Sequence, residues 1–164
     1  MSEVREFRDG EASVVLDARF PAMVVCTYFG LTTEKLVRES SAWLRQYMSS
    51  LPSHAKLVQV SDTRAVPTSD PKVRKIAAEE FKTLEPLMRA HDVDIIIIIN
   101  NGMLRGAITA ISWLTNSRML VPAKDLEDAF RLAGESLAKV GKALPLGLTG
   151  TTYRIPTTTV RKTG

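Results

Sequence analysis

The chain has one cysteine, two histidines and few aromatic residues, and each shortage removes a class of explanation. A lone Cys26 cannot close an internal disulfide. It lies in the apolar run "MVVCTYF", where a buried thiol behaves as a small hydrophobe. His54 and His91 stand singly, with no carboxylate or thiol at a usable ligand spacing, so no metal site is expected. Asp92 and Asp94, beside His91, read as loop residues. No charged leader followed by an apolar stretch and a small-residue cleavage site opens the chain, so a cytoplasmic protein is expected. Catalytic signatures are missing too: there is no G-x-S-x-G, no G-x-x-x-x-G-K-[ST], and no G-x-G-x-x-G opening a helix. These absences favour a non-enzymatic domain without a cofactor.

A strong basic balance is also lacking once the charge is divided along the chain. The formal charge is +4, and the segment from Leu144 to Gly164 carries three of these positive charges (Arg154, Arg161, Lys162) with no acidic residue, leaving +1 for the rest. Nucleic-acid binding asks for a basic face interleaved with stacking aromatics. Here the helices mix both signs and the aromatics lie mainly in apolar stripes, so no nucleic-acid partner is expected.

What is present is an alternating order of elements. At 164 residues the chain fits one domain, able to bury roughly 70% of its unfolded surface. "VREFRDGEASVVLDARF" predicts two strands about an Asp9-Gly10 turn, and "MVVCTYFG" a further strand. In "LTTEKLVRESSAWLRQYMSSL" Leu36, Val37, Ser40, Trp43, Leu44, Tyr47 and Leu51 repeat at helical spacing, with Thr32 or Thr33 as cap. One-face spacing makes Trp43 and Tyr47 core residues rather than a ligand box. "AKLVQV" predicts a strand, and Val73, Ile76, Ala77, Phe81 and Leu84 a second helix that Pro86 should kink or split. "DIIIIIN" is β-branched without polar alternation, which is what a strand covered on both faces needs. "GMLRGAITAISWL" predicts a third helix, "RMLVPA" a short strand and "DLEDAFRLAGESLAKV" a fourth helix. The domain is thus placed at 1–143. Residues 144–164 read as a basic, Thr-rich tail, either disordered or pinned at one edge by Tyr153 and Ile155.

That succession, over roughly residues 12 to 142, resembles STAS domains and the related SpoIIAA-like family, whose architecture is shared with the lipid-binding module of Sec14-type proteins. "DIIIIINNGMLRGAITAISWLTNSRMLVPAKDLEDAFRLAGESL" looks like that family's buried strand, helix, short strand and final helix. The resemblance implies an α/β fold with a SpoIIAA-like (STAS-like) mixed sheet of about five strands, mostly parallel, and about four helices. It implies a non-catalytic regulatory domain that binds a protein partner, as anti-sigma-factor antagonists do. In those antagonists a serine at the start of the second helix is phosphorylated. Here Thr68 or Ser69 takes the corresponding position, although Pro67 and Asp70 replace the family's aspartate and glycine. Beside that reading stands plain capping, with Ser69 or Asp70 before Pro71. Lys72, Arg74 and Lys75 read as a solvated face, or as a contact for an acidic partner.

In open parallel sheets ligands collect beyond the carboxyl ends of the strands. Arg64, Thr68, Ser69, Asn100, Asn101 and Arg105 therefore form a candidate binding rim, with Asn100 and Asn101 alternatively making only a tight turn. The predicted third helix is apolar on too many sides for one stripe. It is either buried all round or spends surface on a homodimer partner, an apolar small molecule or a peripheral membrane contact. Its residues 103 to 114 reach about 18 Å, short of the roughly 30 Å hydrocarbon core. Packed on the second helix, it gives a candidate apolar site of Phe81, Leu84, Met88, Met103 and Trp113, the site expected of a lipid-binding or membrane-surface carrier.

Overall fold

A computed structural model describes residues 3–99 and 120–157 of the chain. Among these residues six strands form one sheet whose spatial order equals their sequence order: β1 Val4–Asp9, β2 Ala12–Phe20, β3 Met23–Phe29, β4 Val58–Ala65, β5 Asp94–Ile98 and β6 Leu120–Ala123. The first three are antiparallel neighbours, and β3 to β6 run parallel. The architecture is therefore α/β with a mixed sheet, of six strands rather than the expected five. Three helices lie among the described residues: α1 Glu34–Ser50, α2 Pro71–Ala90 and α3 Leu126–Ala138. The helix expected over "GMLRGAITAISWL" falls outside the described residues.

Both hairpins have local causes. Asp9 pairs with Ala12, so the two-residue turn is Gly10-Glu11, one residue later than expected, and Gly10 takes the positive φ that a tight hairpin demands. Phe20 pairs with Met23 across Pro21-Ala22, where proline presets the first turn residue and Ala22 accepts a φ of 59°. Parallel strands then need helical crossovers, which α1 and α2 supply.

α1 opens on Thr33, whose hydroxyl accepts from the Leu36 amide at 3.3 Å. Its apolar stripe goes into the core, where Trp43 stacks on Tyr47 with ring centroids 5.2 Å apart. α2 runs unbroken through Pro86, against the expected split. Proline removes the amide that would bond the Lys82 carbonyl, and both residues are exposed, so water takes over that carbonyl.

The isoleucine run occupies the interior of the sheet, between β4 and β6. Ile95 and Ile97 face the layer of α1 and α2, while Ile96 and Ile98 face α3. This two-sided cover is why the run has no polar alternation. β4 is longer than "KLVQV" suggested and continues through Ser61, Asp62, Thr63, Arg64 and Ala65. Its polar residues stay in the ladder because each buried group finds a partner: Gln59 Nε2 donates to Ser61 Oγ at 3.0 Å, and Arg64 holds Asp62. β6 tolerates Pro122 because it is an edge strand.

Residues 144–157 fold back over the α3 side of the sheet. Tyr153 is buried against Phe20 and Phe130, whereas Ile155 is exposed. Gly150 lies so close to α3 that an added Cβ would meet the Glu127 amide nitrogen at 2.3 Å, and the Thr151 amide donates to Glu127 Oε2. None of the described helices is long and apolar enough to cross a membrane.

Candidate functional site

A cavity of about 260 Å³ opens between α1, α2 and the sheet face they cover. Three elements shape it. Alternation along β4 sends Gln59, Ser61 and Thr63 to this face. β5 contributes Ile95 and Ile97. α2 lays Ala77, Phe81, Leu84 and Met88 along the opposite wall.

The composition of the walls changes along the cavity. Around the carboxyl ends of β3 and β4 the lining includes Tyr28, Thr32, Thr63, Ser69 and Arg74. Toward the last turns of α2 and the start of β5 it becomes Leu44, Leu84, Met88 and Ile95. Among the described residues no acidic side chain lines the cavity. Arg74 is half-buried in the first turn of α2, and its guanidinium makes no ion pair or hydrogen bond among the described residues. The Tyr28 hydroxyl likewise makes no hydrogen bond among the described residues. Burial pushes its phenol above the usual range, so it is a neutral hydroxyl at physiological pH.

The expected site residues fall in four places. Ser69, Phe81, Leu84 and Met88 come together in the cavity, which joins one candidate phosphosite with the candidate apolar site. Thr68 is exposed on the short loop 66–70 between β4 and α2. Arg64 belongs to a strand rather than a loop and lies on the other face from Thr63. There it grips Asp62 through Nε at 2.9 Å and Nη2 at 2.8 Å, with Asp125 near enough to reinforce its charge. Asn100, Asn101, Met103, Arg105 and Trp113 lie outside the described residues.

The cap of α2 is Asp70, not Ser69. Its carboxylate accepts from the Lys72 amide at 2.6 Å, with Pro71 at the first helical position. The Ser69 hydroxyl is therefore not spent on capping. The basic run behind it also divides: Lys72 and Lys75 are exposed, while Arg74 turns onto the cavity. Sequence reasoning missed Arg74, Tyr28 and the polar row of Gln59, Ser61 and Thr63. The row had a visible signal, because three polar residues at i, i+2 and i+4 sit where a covered strand asks for apolar ones.

The face toward α3 carries polar chemistry of another kind. Asp17 is fully buried, and Arg19 grips it with Nε and Nη2 both at 2.8 Å, the same Asp-x-Arg device as Asp62 and Arg64. The Tyr153 hydroxyl donates to Asp17 Oδ2 at 3.3 Å. Burial and the Asp17 charge together push that phenol well above its usual range. At the other end of the sheet, buried Lys56 donates to Asp92 Oδ2 at 2.9 Å and to Asp94 Oδ2 at 3.0 Å, and Ser136 donates to the same Asp94 oxygen. Asp94 is thus the first residue of β5 and an ion-pair partner, not a loop residue. Burial works against its charge, yet the Ser136 hydroxyl and Lys56 hold its carboxyl below the usual range. No metal-binding cluster of His, Cys, Asp or Glu exists among the described residues.

No protein-family model matches the chain, and no curated protein matches it.

Proposed function

We propose that the chain is a non-catalytic regulatory domain of the STAS or SpoIIAA-like type whose input is a small apolar molecule. The observation that carries this reading is the cavity between α1, α2 and the sheet, with Phe81, Leu84 and Met88 in its wall. Small-molecule sites are concave, mostly apolar and furnished with a few polar groups, and roughly 300–1,000 Å³ is their usual range. A cavity of about 260 Å³ suits a ligand at the small end of that range.

The regulatory output belongs to the loop 66–70. Ser69 faces the cavity and Thr68 faces solvent one residue away, so a ligand pressing on this loop alters the surface that a protein partner meets. A cytoplasmic setting accords with this reading, and phosphorylation of Ser69 or Thr68 is its second form of control.

The test uses the neutral dye N-phenyl-1-naphthylamine, which fluoresces in apolar surroundings. The wild type should show saturable, single-site enhancement, and Ala77→Trp, which fills the cavity, should weaken binding at least tenfold. No saturable binding, or equal binding by the variant, would overturn the ligand reading.

A further inference from the structure

We infer that the ligand of this cavity is an amphiphile with a carboxylate head, seated head-first beside Arg74 and Tyr28, with its chain running toward Leu84 and Met88. This rests on the ligand-binding reading above and adds the chemical class. The cavity is not uniformly apolar. Arg74 and Tyr28, whose side chains make no hydrogen bond among the described residues, sit at the end formed by the last residues of β3 and the first turn of α2. Among the described residues the opposite end is mainly apolar, from Leu44, Leu84, Met88 and Ile95, and of the polar groups there Gln59 is given to Ser61 and Ser40 to its own helix. A ligand complementary to both ends has one polar terminus and one apolar body.

The sign of the polar terminus follows from the charges. Arg74 is the only charged side chain among the described residues lining the cavity, and its guanidinium is a planar fork of donors with no acceptor. A half-buried guanidinium without a carboxylate partner is costly, since its desolvation is not repaid by pairing. The contrast with Arg19 and Arg64 is direct, because each of those has an aspartate two residues away. A carboxylate supplies what Arg74 lacks, accepting from the guanidinium fork and from the Tyr28 hydroxyl together. Ser69 adds a further hydroxyl at the same end, whereas the Thr63 hydroxyl is already donated to the Ile98 carbonyl at 2.7 Å. Gln59 is less available, since its amide donates to Ser61.

Calorimetry with octanoate and 1-octanol at pH 7.5 tests the inference, because the two share a chain and differ in the charge of the head. The wild type should bind octanoate at least tenfold more tightly than octanol. Arg74→Gln should abolish the preference while changing octanol affinity less than twofold, and Arg74→Lys, which keeps the charge, should retain part of it. Melting temperatures for both variants confirm that each is folded. Equal affinity of the wild type for the two probes, or a preference that survives in Arg74→Gln, would overturn the carboxylate assignment and leave the cavity reading standing. Octyl phosphate binding more than tenfold tighter than octanoate would overturn the carboxylate in favour of a phosphate head. Binding of none of the three would overturn the cavity reading itself.

Discussion

Toward α3 the sheet buries two carboxylates, Asp17 and Asp62, and each is gripped by a guanidinium two residues along. Toward α1 and α2 it buries Gln59 and Ser61, and there Arg74 of α2 and Tyr28 of β3 face a cavity with no partner among the described residues. In the α3 layer Phe130, Ala133 and Leu137 are buried against the sheet, and Tyr153 packs on Phe20 and Phe130 at its rim. Both layers hold polar groups in an apolar setting, so polarity alone does not mark a site. What separates them is whether the charged groups are paired, since Asp17 and Asp62 each hold an arginine while Arg74 has no ion pair among the described residues. Internal pairing fixes a structure, whereas unmatched donors beside empty space point to something that comes from outside.

The largest effect should come from truncating one aromatic in each layer. Phe130→Ala empties a buried position in the α3 layer and should cost about 3–5 kcal/mol. Phe81→Ala removes a half-buried ring already beside a cavity and should cost about 1–2 kcal/mol, since much less apolar surface returns to water. Urea unfolding of the two variants checks the difference, and equal losses would erase the distinction between the two layers.

Adding volume should reverse the sign between the faces. Ala133→Leu overpacks a fully buried position and should destabilise by about 1–3 kcal/mol. Ala77→Leu extends into the cavity and should stabilise by about 1 kcal/mol in the absence of ligand. The smallest effect concerns acid. The Asp94 carboxyl is held low in the folded state, so its contribution is fully present above the ordinary carboxylate range and is lost as pH falls through its depressed folded value. Asp94→Asn should therefore lower stability at pH 7, where the charged carboxylate contributes, and converge on the wild type as pH falls through the depressed Asp94 value, which flattens the acid limb. Melting curves from pH 2.5 to 7 measure this.

Much of the framework was legible in the chain because period and punctuation agreed. The α1 stripe and the isoleucine run each impose one solution on the backbone, and the Asp-Gly signal located the first hairpin to within one residue, whereas the Pro21-Ala22 turn was not read. The polar half of β4 was passed over: the i, i+2, i+4 row of Gln59, Ser61 and Thr63 was in view, but Ser61, Asp62, Thr63 and Arg64 look like loop until the partners of Asp62 and Ser61 are known. Pro86 misled for a related reason. Its penalty depends on whether the freed carbonyl faces water, and burial is a tertiary property. At the site, Phe81, Leu84 and Met88 followed from helical spacing, but Arg74 and Tyr28 did not. A basic residue in a basic run and a tyrosine near a strand end carry no local mark of facing a cavity.

The identity of spatial and sequence order in the sheet bears on how the polypeptide is made. As the chain leaves the ribosome, each strand from β2 onward can dock on the one just before it, so synthesis and assembly proceed in the same direction. Every unfinished stage then ends in an open edge with unpaired amides, the surface on which nascent chains aggregate. The finished sheet ends safely on both sides. β1 presents Arg5, Glu6, Arg8 and Asp9 along its length, and β6 is four residues long and contains a proline that cannot donate to another strand. Aggregation risk is therefore confined to the interval before Leu120–Ala123 emerges, and slowing translation within residues 100–119 would lengthen that interval more than slowing it anywhere after.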